Sequence, residues 1–149
     1  MRTFEGCWPA LLTPYTPQDD INVAVLRALT DYLLARGVSG FYVCGSTGEG
    51  PLQTVPERIL VAETVLQQVA GRVPVIVHVG AAVLKDAQRL AQHAQSAGAA
   101  GISSILPPVL YDARGIAPYF EAVAAAAPEL PFLSYLFGSA RDAVALMRD

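Results

Sequence analysis

Short apolar runs of strand-forming residues alternate along this chain with longer stretches whose apolar residues recur at helical spacing. The candidate strands are residues 9–12, 40–44, 73–79, 101–106 and 131–135. These runs carry apolar residues on both faces rather than at alternate positions only, which is typical of parallel strands covered on each side. The alternation therefore predicts an α/β fold with a parallel sheet and helical connections.

The predicted helices have recognisable start and stop signals. They begin near residues 22, 54, 84 and 115. Asn22 is a suitable N-cap for the first helix, and Gly37 is expected to end it in the left-handed conformation. Thr54 and Glu57 have the capping-box spacing at the start of the second helix. Pro128 is expected to end the fourth, since proline cannot continue a helix.

The complete series has the form (βα)4β, and no linker or low-complexity tract divides it. With 149 residues, the chain fits one ordinary domain, so residues 1–149 are expected to form a single domain. Such a series is compatible with an open, doubly wound sheet and with part of a closed eight-fold barrel. The periodicity of the sequence does not choose between these two architectures.

Composition and charge exclude several classes of function. A net charge of −3 and the lack of a basic stripe argue against binding to nucleic acid or to a membrane surface. We expect a cytoplasmic protein, because the sequence has neither a spanning apolar segment nor a signal-peptide pattern. Cys7 and Cys44 are accordingly expected to be reduced and buried. His78 and His93 are too isolated to suggest a zinc site, and His78 is interpreted as a hydrogen-bonded residue rather than a general base.

The segment CGSTGEG, residues 44–50, follows the second candidate strand and carries the main functional signal. Its glycines permit positive φ and close approach of the backbone, so that several N–H groups can point at one anion. Ser46 and Thr47 add hydroxyl donors. No lysine follows at the phosphate-loop spacing, so a carboxylate is a better ligand than a nucleotide. The alternative is a tight turn between strand and helix with Glu49 merely solvated.

Longer stretches of the sequence resemble a known enzyme family. Residues 10–58, together with VPVIVHVG and AGAAGISSILPP, are similar to the pyruvate-dependent aldolases and lyases of the N-acetylneuraminate lyase and dihydrodipicolinate synthase family. The resemblance runs from about residue 6 to residue 135. VIVHVGAAVLKDAQRLAQHA and VAAAAPELPF are most similar to the N-acetylneuraminate lyase branch. The resemblance implies a partial (β/α)8 TIM barrel, about (βα)4β plus a C-terminal helix, with the site at the carboxyl ends of the strands.

The resemblance also implies roles for individual residues. Members of this family hold the keto carbon as a Schiff base on a lysine of the sixth strand, and they need no metal or organic cofactor. Ser46 and Thr47 match the residues that hold the substrate carboxylate, and Gly45 and Gly48 are implied to bind substrate in the same loop. Thr13 is implied to line the floor of the site beside that loop. Tyr135 matches the tyrosine that relays the proton at the end of the fifth strand. The implied ligand is a small keto acid such as pyruvate or a sialic-acid-like compound.

The chain departs from the family pattern in two places. Its one lysine, Lys85, stands at the start of the third predicted helix, where a solvated surface charge is expected. Residues 136–149 do not continue as the family does after its tyrosine, so this tail is interpreted as divergent or rearranged in a truncated chain. Five strands would leave unpaired edges and an exposed apolar inner face, which predicts a homo-oligomer.

Two hypotheses of different class follow from these observations. The first is a carbon–carbon lyase or aldolase, most similar to N-acetylneuraminate lyase and impaired without the lysine. Within the family, a dihydrodipicolinate synthase-like enzyme or a 2-keto-3-deoxy sugar acid aldolase is the alternative. The second hypothesis is a non-catalytic partial barrel that binds small carboxylates or assembles with other subunits.

Overall fold

The computed structural model of the chain describes residues 4–105 and 113–135. Its helices are α1 (Val23–Leu34), α2 (Val55–Val69), α3 (Leu84–Ser96) and α4 (Ala113–Ala125). Its strands are β1 (Phe41–Val43), β2 (Val75–His78), β3 (Gly101–Ile105) and β4 (Phe132–Tyr135), and a 3₁₀ helix, Gly50–Leu52, precedes α2. Strands and helices alternate, which confirms the predicted α/β class. The predicted divergent tail, residues 136–149, lies outside the described residues.

The order of the strands decides between the two architectures that the sequence left open. The sheet is parallel throughout and its order is β1-β2-β3-β4, so each strand is placed beside the one before it in the chain. A doubly wound sheet reverses this direction at a switch point, whereas a barrel does not. Right-handed crossovers that all advance in one direction place all of the helices on one face. The described strands therefore form an arc of a barrel.

The first candidate strand is wrong as a regular strand. Within residues 9–12, only Ala10 forms a bridge, and its partner is Tyr42. The Leu11 N–H donates to the Tyr42 carbonyl over 2.9 Å, and the Tyr42 N–H donates to the Pro9 carbonyl over 3.1 Å. Because Pro9 has no N–H of its own, it cannot add a donor to a ladder. The segment lies beside β1, where these two bonds hold it.

The core lies between the helices and the outer face of the sheet. The apolar outer-face strand residues that are at most 2% exposed are Phe41, Val43, Val75, Val77 and Ile102. Leu26, Val65 and Val123 of the helices pack against them and are fully buried. Burial of each side chain of this size contributes about 1.5–3 kcal/mol. This packed layer fixes the positions of the strands and therefore of the residues that follow them.

Most of the predicted helix signals are confirmed. The Asn22 side chain accepts a hydrogen bond from the Val25 N–H, and Gly37 has a φ of 77°. Thr54 and Glu57 form a complete capping box at the start of α2. The fourth helix begins at Ala113 rather than near residue 115, and it contains Pro118. A proline this close to the helix start removes a hydrogen bond only to the first residues of the helix.

The two cysteines differ from each other in burial. Both are free thiols, but Cys7 is exposed and Cys44 is buried, so the prediction of burial is wrong for Cys7. Burial raises the pKa of Cys44 to about 11, and its thiol is therefore neutral at ordinary pH. Within residues 4–105 and 113–135, no helix is long and apolar enough to cross a membrane.

Candidate functional site

The segment after β1 forms a compact turn at the carboxyl end of the sheet. This segment, residues 45–50, is called the 45–50 turn. Its backbone closes on itself, because Gly48 N–H and Gly50 N–H both donate to the Gly45 carbonyl over 3.1 Å. The Glu49 N–H donates to the Ser46 carbonyl over the same distance. Three amides of the turn are thus engaged internally, which leaves fewer donors for an anion than the glycine-rich sequence suggested.

Ser46 and Thr47 supply the donors that remain. Both residues are exposed. Among the hydrogen bonds of the described residues, none engages the N–H or the hydroxyl of either one. These two N–H groups and two hydroxyls are a donor set suited to a carboxylate, which has acceptors only. The binding role of Ser46 and Thr47 stays a prediction, and the geometry leaves their donors accessible.

The glycines of the turn allow close approach, not positive φ. A Cβ at Gly48 would lie 2.6 Å from the Leu11 carbonyl oxygen, and one at Gly45 would lie 2.6 Å from the Tyr42 ring. The residues of the segment that do adopt the left-handed region are Cys44, with φ 59°, and Glu49, with φ 58°. The prediction of close backbone approach is confirmed. The prediction that the glycines themselves supply positive φ is wrong, since their neighbours do.

Thr13 and Gln53 hold the turn in place through hydrogen bonds to its Gly48 carbonyl. The buried Thr13 hydroxyl donates to the Gly48 carbonyl over 2.7 Å. Gln53 Nε2 donates to the same carbonyl over 3.0 Å and to the Tyr15 hydroxyl over 2.8 Å. The Thr13 proton is therefore used to hold the turn. That Thr13 lines the floor of a carboxylate pocket stays a prediction.

The inner face of the sheet lies opposite the helix layer. Residues that align across parallel strands point to the same side of the sheet. By this register the inner face consists of Tyr42, Ile76, His78, Gly101, Ser103, Ile105, Leu133 and Tyr135. The Tyr42 hydroxyl donates to Ser103 Oγ over 3.2 Å, and Ser103 Oγ donates to the Leu133 carbonyl over 2.9 Å. These bonds join β1, β3 and β4 across the inner face.

Tyr135 ends β4 and lies on this inner face. Its residue is 51% exposed, and β4 is separated from β1 by two strands. Burial raises the pKa of Tyr42, and the Tyr135 hydroxyl adds a smaller effect in the same direction. The structure brings Tyr135 to the same end of the sheet as the 45–50 turn, and its proton-relay role stays a prediction.

His78 is a buried residue of the inner face. Its ring lies 6.3 Å from the ring of Tyr42, and its Nε2 accepts a hydrogen bond from the Ile105 N–H over 3.1 Å. Burial lowers the pKa of His78 to about 3, and the neighbouring Arg58 charge acts in the same direction. The imidazole is thus neutral at ordinary pH. The geometry is that of a hydrogen-bonded core histidine, as the sequence favoured.

Arg58 is the residue of this region that sequence analysis missed. It is only 3% exposed, and its guanidinium donates to the Gly80 carbonyl over 2.9 Å and to the His78 carbonyl over 2.6 Å. A signal was present in the spacing. The buried stripe of α2 consists of Arg58, Val61, Ala62, Val65 and Val69. An arginine that occupies the first position of such a stripe faces the core.

Lys85 belongs neither to the 45–50 turn nor to the inner face of the sheet. It is the second residue of α3 and is exposed. In the described part of the chain, no hydrogen bond or ion pair involves its amine. The same residues contain no cluster of three or more histidine, cysteine or acidic side chains that could hold a metal ion.

Comparisons with known proteins place this geometry in context. The model of the dihydrodipicolinate synthetase family matches residues 3–144. The N-acetylneuraminate lyase of Sus scrofa is 38% identical over 138 residues, a match that covers 90% of this chain and 43% of that protein. The chain spans about half the length of the curated relatives it matches.

Solved structures agree with this relationship. A sialic acid aldolase of Ruminococcus gnavus superposes with a TM-score of 0.88 at 33% identity, covering 97% of this chain and 51% of that one. A prophage protein of E. coli K12, solved in complex with pyruvate, superposes with a TM-score of 0.87 at 34% identity, covering 91% of this chain and 46% of that one. The arc of strands thus corresponds to about half of a larger barrel in these proteins.

Proposed function

The chain belongs to the dihydrodipicolinate synthetase family, and from that premise we propose that it carries the carboxylate-binding part of a Schiff-base aldolase or lyase for pyruvate-derived keto acids. Among such enzymes, N-acetylneuraminate lyase is the preferred type, since curated relatives at 36–42% identity are N-acetylneuraminate lyases. The observation that carries the proposal is the 45–50 turn, whose exposed donors at Ser46 and Thr47 stand at the carboxyl end of β1.

The proposed chemistry assigns separate tasks to residues that follow or end β1 and β4, at the same end of the sheet. The keto-acid carboxylate accepts hydrogen bonds from the N–H groups and hydroxyls of Ser46 and Thr47, which orients the adjacent ketone. An amine then captures the keto carbon with loss of water, and the protonated imine accepts the electron pair released when the neighbouring carbon–carbon bond breaks. Tyr135 relays the proton. The amine is not assigned to this chain, because Lys85 is an exposed residue of a helix start.

A mutational titration tests the carboxylate site. We expect pyruvate to shift the amide resonances of Ser46 and Thr47 in NMR spectra. Ser46→Ala and Thr47→Val are each expected to weaken pyruvate binding by about tenfold, because a hydrogen bond to a charged group contributes ~1.5–3 kcal/mol. Glu49→Gln is the matched control, since Glu49 is exposed in the same turn. If the two variants bind pyruvate as well as the wild-type chain, the assignment of the turn is wrong.

A second function is favoured by the exposure of Lys85 and of large apolar or aromatic side chains near the ends of the strands. Tyr135, at the end of β4, is 51% exposed, and Leu12, in the segment beside β1, is 59% exposed. A non-catalytic partial barrel would bind small carboxylates or assemble with further copies of this chain. Homo-oligomer formation belongs to this second proposal.

Reductive trapping separates the two functions. Borohydride reduces an imine between a lysine amine and pyruvate to a stable secondary amine, which raises the mass of the polypeptide. We expect the mass of the chain to be unchanged after incubation with pyruvate and borohydride, because its lysine lies apart from the turn and the inner face. An adduct on Lys85 in the mass spectrum would instead support catalysis by this chain, and Lys85→Arg would then abolish it.

A further inference from the structure

Arg58 is a buried arginine whose guanidinium lies at the carboxyl end of β2, the strand beside the one that leads into the 45–50 turn. Arg58 is 3% exposed, and Cys44, the residue that leads into the turn, contacts the Arg58 carbonyl through its Sγ at 3.6 Å. The ion pairs of the described residues are Arg72 with Asp31 and His93 with Glu63. No carboxylate in this part of the chain neutralises Arg58.

The hydrogen bonds of Arg58 do not compensate for this charge. Its Nη1 donates to the Gly80 carbonyl, and its Nη2 donates to the His78 carbonyl and lies 3.2 Å from His78 Nδ1. All of these partners are neutral, and the buried Nε has no partner among the described residues. A buried charge without a counter-charge is unfavourable, and an apolar side chain of similar volume is often as stable or more stable. Structural stability alone therefore does not explain an arginine here.

The charge of Arg58 affects the pKa values of two neighbouring groups. His78, on the inner face, has its pKa lowered by burial and also by Arg58. Tyr42, on the neighbouring strand of the same face, has its pKa raised by burial, and Arg58 opposes that shift. Both effects of Arg58 mean that it favours negative charge and disfavours positive charge at this end of the inner face. A ligand anion bound beside the turn would experience the same field.

We propose that Arg58 is a specificity-determining residue, whose buried and unpaired charge makes the 45–50 turn select a carboxylate over an uncharged ligand of the same shape. Arg58 does not touch the ligand. It acts through the field across the turn and by holding the carbonyls of His78 and Gly80 at the end of β2. This inference rests on the proposed function, because it presupposes that the turn binds a keto acid.

The test compares pyruvate with pyruvamide, its neutral isostere, by NMR titration of the whole chain. Arg58→Met is expected to weaken pyruvate binding by about tenfold while pyruvamide binding changes by less than about twofold. Arg58→Lys keeps the charge and is expected to retain most of the preference for pyruvate. Arg89→Met removes an exposed arginine of α3 and is the matched control, with no change in preference.

The outcomes distinguish this inference from the proposed function. If Arg58→Met loses affinity for both ligands equally, or for neither, the selectivity role of Arg58 is overturned while the carboxylate site stands. If the wild-type chain does not bind pyruvate, both proposals are overturned.

A measurement on the wild-type chain covers the case in which Arg58→Met does not fold. The Arg58 Nε–H resonance is expected to shift on titration with pyruvate, with the same dissociation constant as the Ser46 amide, and not with pyruvamide. If pyruvate shifts the Ser46 amide resonance but not the Arg58 Nε–H resonance, the proposed role of Arg58 is overturned.

Discussion

Gly50→Ala is expected to lower the free energy of unfolding by about 3 kcal/mol or more, enough to leave much of a marginally stable chain unfolded. A Cβ at Gly50 would overlap the carbonyl oxygen of Cys44, and it would also approach the carbonyl carbon and Cα of that residue. These are backbone atoms of the residue that joins β1 to the 45–50 turn, so no side-chain rotation relieves the overlap. Either the turn or the end of β1 must move.

The matched control is Gly71→Ala, which introduces the same methyl group in open space. A Cβ at Gly71 would meet no atom within 4 Å, although its φ of 74° makes alanine strained there. That strain costs about 1–2 kcal/mol. Urea denaturation followed by circular dichroism gives both values. Equal losses in the two variants would mean that the turn yields easily, and its close packing would then not be what shapes the site.

The stability of the chain is expected to fall steeply between about pH 6.5 and pH 3 because of His78. In the unfolded chain this histidine takes up a proton near its ordinary pKa of 6.5, whereas burial and the Arg58 charge lower its pKa in the folded chain to about 3. Within that interval the unfolded state binds more protons, so acidification favours unfolding. At ~1.4 kcal/mol for each pH unit, the total loss is roughly 4–5 kcal/mol.

His78→Gln isolates this contribution, since glutamine does not titrate and still offers an acceptor to the Ile105 N–H. The variant is expected to be less stable at pH 7 but to lose much less stability on acidification. Glu57 adds a loss that both proteins share, because its hydrogen bonds with Thr54 lower its pKa. Urea midpoints measured at several pH values supply the comparison. Parallel curves for the wild-type chain and the variant would show that His78 is not the titrating group.

The elements of this chain could be predicted because their signals are local. Thr54 and Glu57 are three residues apart, and the capping box they form depends on little beyond the first turn of α2. Residues 9–12 show where such prediction fails. Their composition is that of a strand, but whether a ladder forms depends on the partner segment, and Pro9 and Leu11 make one bond each to Tyr42.

The candidate site was also predictable only in part from the sequence. Ser46 and Thr47 could be selected from the sequence, since a glycine-rich segment after a strand is a local signal for a ligand-binding turn. Which amides of the turn stay free was not predictable from composition. The other amides of the turn bond to the Gly45 and Ser46 carbonyls, whereas those of Ser46 and Thr47 have no partner among the described residues, and this depends on backbone geometry. The positive φ of Cys44 and Glu49 is likewise a property of the backbone that composition does not carry.

The amino-acid order was sufficient for the alternation of strands and helices, the helix caps and the location of the glycine-rich turn, because each depends on residues a few positions apart. The winding direction of the sheet and the environment of Arg58 depend on contacts between residues 20 or more positions apart, such as Arg58 with His78 and Gly80. An arginine is ordinarily a surface residue. Arg58 is buried because α2 packs against the end of β2, where its guanidinium bonds to the His78 and Gly80 carbonyls.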